Sequence, residues 1–308
     1  MGIESDWIWM DGEWVPYGDA KVHVLTHTLH YGLGAFEGIR AYKQPDGRPG
    51  IWRLDQHLER LLDSMRITLM PSPYSLDELK LVCGDVVLRN GFEEAYIRPL
   101  AYIGEGSMGL GARTNRIRVS VAAWEWGAYL GEEGMKKGVS LKTSTFTRNH
   151  PNAAPAHAKI VGHYVNSILA RYEANDDGFD EALMLDHRGL VAEGTGENLF
   201  VVRKGKVYTP PPINILPGIT RQSVIDLMRL DDIEVIEQPL ARDALYVADE
   251  VFMCGTAAEV TPVRSLDRRD IGKGKPGPIT KRMQERYQAA VHGEIDVLQE
   301  DITVVDPR

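Results

Sequence analysis

Cysteine is scarce: Cys83 and Cys254 are the only two in 308 residues, too few for a disulfide framework and not spaced as metal ligands. They read as reduced thiols buried in the core. No apolar run approaches the roughly 18 residues of a membrane span. The opening MGIESDWIW carries an early acid where an export signal carries basic residues and an apolar core. The expectation is a cytoplasmic protein with no membrane partner. Excess positive charge is also missing, since 35 basic and 44 acidic residues give a formal charge of −9. Nothing therefore gathers a phosphodiester backbone, and nucleic acid is not an expected partner. The 43% hydrophobic and 26% charged residues are those of a folded globular chain. The length suggests two domains of roughly 150 residues each.

Apolar segments 7–10 and 13–15 flank Asp11-Gly12, a strong hairpin signal. A second hairpin is predicted at 39–42 and 51–54 around Pro45-Asp46-Gly47. Leu58, Leu61, Leu62 and Met65 recur at helical spacing and Pro71 ends the run. Ser75 with Glu78 forms a capping box for a second helix that stops at Asn90-Gly91. Segments 95–103 and 117–126 have the β-branched and aromatic composition of strands. Glycines and charges at 127–138 mark a linking loop, so the domains are expected at 1–126 and 139–308. The second begins with a strand at 139–147 and a helix at about 159–174, followed by short strands, further helices at 220–230 and 242–248, a strand at 251–254 and a terminal helix near 279–291.

Several chemical signals are weak alone. Gly104 to Gly109 matches G-x-G-x-x-G, but another strand follows where a dinucleotide fold needs a helix. It reads as a hairpin loop, and the same pattern at 272–277 reads as a surface loop. His23, His27 and His30, and His150, His157 and His163, lack H-E-x-x-H or a completing carboxylate, so no metal is expected. No G-x-S-x-G elbow supports a serine hydrolase. More informative is Pro217-Gly218-Ile219-Thr220, a tight turn opening a helix whose free amides suit an anion. Gly255-Thr256-Ala257-Ala258 lets a ligand approach the backbone. Lys159 sits among small and apolar residues, a setting in which desolvation favours the neutral, nucleophilic amine. Glu193 ends an apolar strand and needs a partner, which a cationic cofactor nitrogen would supply.

Tyr31-Gly32, Phe36-Glu37-Gly38-Ile39-Arg40, Tyr96-Ile97-Arg98-Pro99, Trp126-Gly127-Ala128-Tyr129, Lys159 with Gly162 and Tyr164, Glu193-Gly194 with Glu197-Asn198-Leu199-Phe200, residues 216–221 and Gly255-Thr256-Ala257-Ala258-Glu259 run in order along almost the whole chain. Together they resemble the branched-chain amino acid aminotransferases. The resemblance implies a fold-type IV pyridoxal-phosphate enzyme, of mixed α/β and α+β character, with a β-rich pseudo-barrel as C-terminal domain, the cofactor in an interdomain cleft, and a homodimer or larger assembly.

It also implies roles for particular residues. Lys159 would hold pyridoxal 5'-phosphate covalently and then act as the base. Glu193 would keep the cofactor ring nitrogen protonated, and Tyr164 would bond its phenolic oxygen. Arg60, the Ile219 and Thr220 amides and the Thr256 hydroxyl would hold the phosphate. Tyr96 with the Thr256 and Ala257 amides would receive the substrate α-carboxylate. Phe36, Gly38, Tyr31, Leu110, Trp126 and Tyr129 would shape the side-chain pocket, with Tyr31, Leu110 and Tyr129 contributed partly across a dimer interface. Arg98 would bind the side-chain carboxylate of glutamate. The expected substrates are amino acids and 2-oxo acids. Rival readings are a transaminase of the same fold for D-amino acids or (R)-amines, and a non-catalytic pyridoxal-phosphate or small-molecule binding module.

Overall fold

The computed structural model describes residues 5–127 and 129–306; Ala128 of the Trp126 to Tyr129 motif lies outside the described residues, as do 1–4 and 307–308 at the expected domain limits. The chain divides into two units, both discontinuous in sequence: 1–126 with 158–163 and 290–308, and 127–157 with 164–289.

In the first unit, β1 (Trp7–Met10) turns into β2 (Glu13–Pro16) through Asp11 and Gly12, at φ of 51° and 99°, the positive values a two-residue hairpin loop demands. A short α1 (His27–Tyr31) ends at Gly32 and leads into β3 (Gly34–Phe36). The hairpin of β4 (Ile39–Lys43) and β5 (Pro49–Trp52) precedes α2 (Leu54–Ile67). Leu54, Leu58, Leu61 and Met65 form the buried stripe of α2. In α3 (Leu76–Arg89), the Ser75 hydroxyl accepts from the Glu78 amide while the Glu78 carboxylate accepts from the Ser75 amide.

The long strands β6 (Ala95–Ile103) and β7 (Ile117–Trp124) lie at the centre of an antiparallel sheet ordered β5-β4-β6-β7-β1-β2, with β3 pairing the later half of β6. Ile39, Ile51, Leu58, Leu61, Val86, Ile97 and Val121 form its dry core, where each large side chain stabilises by roughly 1.5–3 kcal/mol. The Gly104 to Gly109 stretch belongs to the loop between β6 and β7.

The second unit contains α4 (Gly131–Lys137), where a linking loop was expected, then β8 (Val139–Thr143), shorter than predicted. After a loop come α5 (Tyr164–Asp176), β9 (Glu181–Leu185), β10 (Val191–Glu193), β11 (Asn198–Arg203) and β12 (Lys206–Thr209). They are followed by α6 (Ile219–Leu230), β13 (Val235–Glu237), α7 (Arg242–Tyr246), β14 (Glu250–Gly255), β15 (Glu259–Leu266), β16 (Arg269–Asp270) and α8 (Pro278–Val291). A mixed sheet ordered β10-β9-β8-β15-β14-β11-β12-β13 is the curled, β-rich body of this unit. The last strand, β17 (Ile302–Val304), returns to the first unit beside β5.

The predicted helix over 159–174 is corrected. Residues 161–163 form a 3-10 turn and α5 starts only at Tyr164. Lys159 cannot join a helix, because its amide donates to Ser64 Oγ (2.9 Å) and its carbonyl accepts from the Phe36 amide (3.1 Å). Gly162 lies so close to Gly32 that a Cβ there would meet the Gly32 carbonyl oxygen at 3.0 Å. Residues 158–163 and 290–308 group with the first unit. Among the described residues, no helix is long and apolar enough to cross a membrane.

Candidate active site

Lys159 is half-buried, and its Nζ lies 4.9 Å from the centroid of the Phe36 ring. Three residues of α2 spaced one and two turns apart face the same region. His57 Nδ1 donates to Glu37 Oε2 (2.7 Å), Arg60 grips both Glu37 oxygens through Nε (2.7 Å) and Nη2 (2.9 Å), and Ser64 Oγ supports the Lys159 backbone. Glu37 is fully buried. Burial by itself would raise its pKa, but the charges and hydrogen bonds of Arg60 and His57 prevail and hold the carboxyl well below the usual range. Burial pushes His57 down, outweighing the pull of Glu37. The pair is therefore a carboxylate accepting from a neutral imidazole.

A second cluster in this unit surrounds Arg98. Its guanidinium lies 4.8 Å from the Phe36 ring, 5.2 Å from Tyr96 and 5.6 Å from Trp124. Its buried Nε has no hydrogen-bond partner among the described residues, an arrangement that suits an incoming anion. Trp126 packs edge-on against Tyr96 at 4.6 Å, and its carbonyl accepts from Arg40 Nη2. Gly38 is needed here because a Cβ would fall 1.9 Å from the Tyr96 hydroxyl. Tyr31 accepts at its hydroxyl from the Gly109 amide (3.1 Å), next to Leu110, which is 90% exposed.

In the second unit, Glu193 is buried on β10. Its Oε1 accepts from Arg148 Nε (2.7 Å) and its Oε2 from Asn198 Nδ2 (3.2 Å) and the Leu216 amide (3.3 Å). Arg148 also donates to Ser167 Oγ (3.1 Å) on α5, one turn beyond Tyr164. Asn198 donates to the Leu216 carbonyl as well, fastening the approach to α6. That helix has Gly218 as its N-cap, without a capping side chain. Its first turn, including Ile219 and buried Thr220, thus presents amide donors and the positive end of the dipole to an anion. Thr256 and Ala257 lie in the turn between β14 and β15, which is braced by a bond from the Thr261 hydroxyl to the Ala258 carbonyl (2.7 Å). Tyr129, 39% exposed, has the Arg171 guanidinium 5.8 Å from its ring.

The first unit thus brings together Phe36, Gly38, Arg60, Tyr96, Arg98, Trp126 and Lys159, and also contains the exposed Tyr31 and Leu110. Tyr129, Tyr164, Glu193, Ile219, Thr220, Thr256 and Ala257 belong to the second. Sequence reasoning overlooked Trp124, Arg148, His57 and the ion-pairing role of Glu37. Trp124 had a usable signal, since Trp124 and Trp126 alternate as same-side residues of a strand. Arg148 had only an indirect one, the need of Glu193 for a partner.

Residues 34–266 match the family model for amino-transferase class IV. A branched-chain-amino-acid aminotransferase of Pseudomonas aeruginosa is 48% identical over 298 residues, covering 97% of each chain. Among solved structures, the T.th. branched-chain amino acid aminotransferase complexed with N-(5'-phosphopyridoxyl)-L-glutamate is similar at a TM-score of 0.95 and 47% identity, covering 99% of this chain and 100% of that one. The same enzyme complexed with 4-methylvaleric acid gives a TM-score of 0.95 at 46% identity, with coverage of 99% and 100%. Both units therefore share the architecture of the fold-type IV enzymes, and the chain belongs to the class IV aminotransferase family.

Proposed function

We propose that this protein transfers the amino group of L-leucine, L-isoleucine or L-valine to 2-oxoglutarate, giving the branched 2-oxo acid and L-glutamate in two alternating half-reactions. The observation carrying this reading is the Arg98 cluster. An arginine whose buried Nε has no partner among the described residues, walled by Phe36, Tyr96 and Trp124, offers one region both apolar surface for a branched side chain and a cation for a carboxylate.

The cofactor of this family is pyridoxal 5'-phosphate, which when bound supplies an electron sink for the electron pair left at the substrate α-carbon. The chain has a donor set to suit it: an amine at Lys159, a buried carboxylate at Glu193, and an uncapped helix start at Gly218. In this reading Lys159 Nζ is the covalent attachment point and later the base that carries the α-proton. Glu193 holds a proton on the ring nitrogen, and Tyr164 donates to the phenolic oxygen. Arg60, the Ile219 and Thr220 amides and the Thr256 hydroxyl bind the phosphate. Tyr96 and the Thr256 and Ala257 amides orient the α-carboxylate. Gly38 keeps the space in front of Tyr96 open, while Phe36 and Trp126 exclude water.

The proposed assembly is a cytoplasmic homodimer in which Tyr31, Leu110 and Tyr129 are contributed partly across the dimer interface. Supporting it, Leu110, Val24 (71%) and Leu29 (62%) are large apolar residues left exposed around α1. The decisive experiment is a panel of L-amino acids, D-amino acids and chiral amines, each paired with 2-oxoglutarate. Turnover should be confined to branched L-amino acids and glutamate, with the cofactor absorbance changing on addition of L-leucine. Preference for D-amino acids or (R)-amines, or an absorbance that no amino donor alters, overturns the proposal.

A further inference from the structure

Glu37 occupies an expensive position. It is fully buried, and four donors converge on it: the Gly38 amide (3.2 Å), His57 Nδ1 (2.7 Å), and Nε (2.7 Å) and Nη2 (2.9 Å) of Arg60. A carboxylate beside a phosphate anchor offsets part of the arginine charge, so on charge alone Glu37 weakens phosphate binding. Its benefit must therefore be geometric. A guanidinium is a rigid plane with five N–H donors, and the two-point grip by Glu37 fixes the orientation of that plane and so the directions of all its donors. The same helix face carries Ser64, whose hydroxyl donates to the Arg60 carbonyl (2.8 Å) and accepts from the Lys159 amide (2.9 Å). Phe36, next to Glu37, donates its amide to the Lys159 carbonyl. Arg60 and Lys159 are thereby held in one register, set by α2 and the end of β3.

We propose that Glu37, backed by His57, is a positioning residue that orients the Arg60 guanidinium as an anchor for the cofactor phosphate. This rests on the assignment of Arg60 to the phosphate given above. The alternative is that the ion pair merely fastens α2 to the sheet. The two differ in what they do to a ligand lacking the phosphate. If Glu37 acts through Arg60, its loss weakens pyridoxal 5'-phosphate binding and spares pyridoxal. A packing role weakens both together.

The test measures dissociation constants of the full-length apoprotein for pyridoxal 5'-phosphate and for pyridoxal by quenching of tryptophan fluorescence. Glu37→Gln keeps the shape but removes the charge. It should lower the preference for the phosphorylated ligand on the order of 10-fold, the scale of one charge-assisted contact, with pyridoxal affinity unchanged within about 2-fold. Because a neutral amide at this buried position can unfold the chain, His57→Gln serves as a milder variant, folding being checked by circular dichroism. It should shift the ratio in the same direction by a smaller factor. Parallel loss for both ligands, or an unchanged ratio in folded Glu37→Gln and His57→Gln, overturns the proposal. Arg60→Ala separates the two levels. If it too leaves the ratio unchanged, the phosphate-anchor reading fails and the proposal with it; if only Arg60→Ala lowers the ratio, positioning by Glu37 alone is refuted.

Discussion

Arg98 Nη2 donates a hydrogen bond to the phenolic oxygen of Tyr96, 3.1 Å away. The two residues are separated by one position on β6, so both side chains leave the same face of the sheet. Opposite Tyr96, β7 contributes Trp124, and β4 contributes Arg40. The sheet thus assembles the aromatic walls around the guanidinium from three strands, Phe36 from β3, Tyr96 from β6 and Trp124 from β7. It also links the residue assigned to the substrate side chain, Arg98, to the one assigned to its α-carboxylate, Tyr96.

Arg98→Leu should separate the two substrate types. Leucine offers no ionic partner to the guanidinium, whereas the glutamate side chain does. A charge-assisted hydrogen bond contributes roughly 1.5–3 kcal/mol, so kcat/KM for glutamate should fall on the order of 10- to 100-fold. The leucine half-reaction should fall far less. Single-turnover measurements with each donor decide it. Equal losses in a variant that still binds cofactor would contradict dual recognition by Arg98.

A subtler lesion is Gly38→Ala. The added methyl would lie 1.9 Å from the Tyr96 hydroxyl and 2.7 Å from the adjoining ring carbon, so Tyr96 has to move. That displacement disturbs the Arg98 hydrogen bond without touching Lys159. The expected outcome is a rise in KM for leucine and for glutamate together, on the order of 10-fold, with cofactor affinity unchanged. A wild-type KM for both would exclude Tyr96 from carboxylate binding.

What was legible in the sequence was mostly local. Asp11-Gly12 dictates its hairpin through backbone conformation, and Ser75 with Glu78 marks a helix start within one turn. The stretch 159–174 misled because its first residues carry no local sign of being anything but helical. Their backbone groups are taken by Ser64, 95 positions away, and by Phe36. Short strands such as β3 and β13 escape a sequence reading because three residues are too few for alternation to declare itself. At the candidate site, the reactive residue types stood out as motifs. The groups that orient them, Arg148 from an irregular loop and His57 from within an amphipathic stripe, acquire meaning only from their partners.

Glu173 on α5 allows a pH prediction for stability. Burial would raise its pKa, but hydrogen bonds from the Ser144 hydroxyl (2.7 Å) and the Thr145 amide (3.0 Å), with the Lys142 ion pair, outweigh that and bring it down to about 2. A carboxyl lowered from 4.5 stabilises the fold above its unfolded pKa and loses that contribution as the pH falls toward the folded value. Glu173→Gln should therefore cost roughly 1–3 kcal/mol at neutral pH. The variant and the parent should converge between about pH 4.5 and pH 2. Urea unfolding at a series of pH values measures this, and a difference that persists undiminished at pH 2 would refute the assignment.

Glu193 and Arg148 provide the most direct test of the proposed chemistry. Glu193 accepts from Arg148, Asn198 and the Leu216 amide, so it is presented as a carboxylate with its orientation fixed from three sides. Asn198 and Leu216 would still find an oxygen on a glutamine, whereas the negative charge facing a ring nitrogen would be gone. Glu193→Gln should accordingly slow the half-reaction with leucine on the order of 100-fold or more, about 3 kcal/mol of transition-state stabilisation, while cofactor affinity changes much less. Arg148→Met leaves the charge of Glu193 but removes its donor and the tie to Ser167 on α5. It should produce a smaller loss of rate, on the order of 10-fold. In the double variant the two effects should not add, because Arg148 can act on the ring nitrogen only through Glu193. Stopped-flow absorbance with leucine reads all three variants. Fully additive losses would mean that Arg148 contributes by another route, and an undiminished single-turnover rate in Glu193→Gln would remove Glu193 from the chemistry.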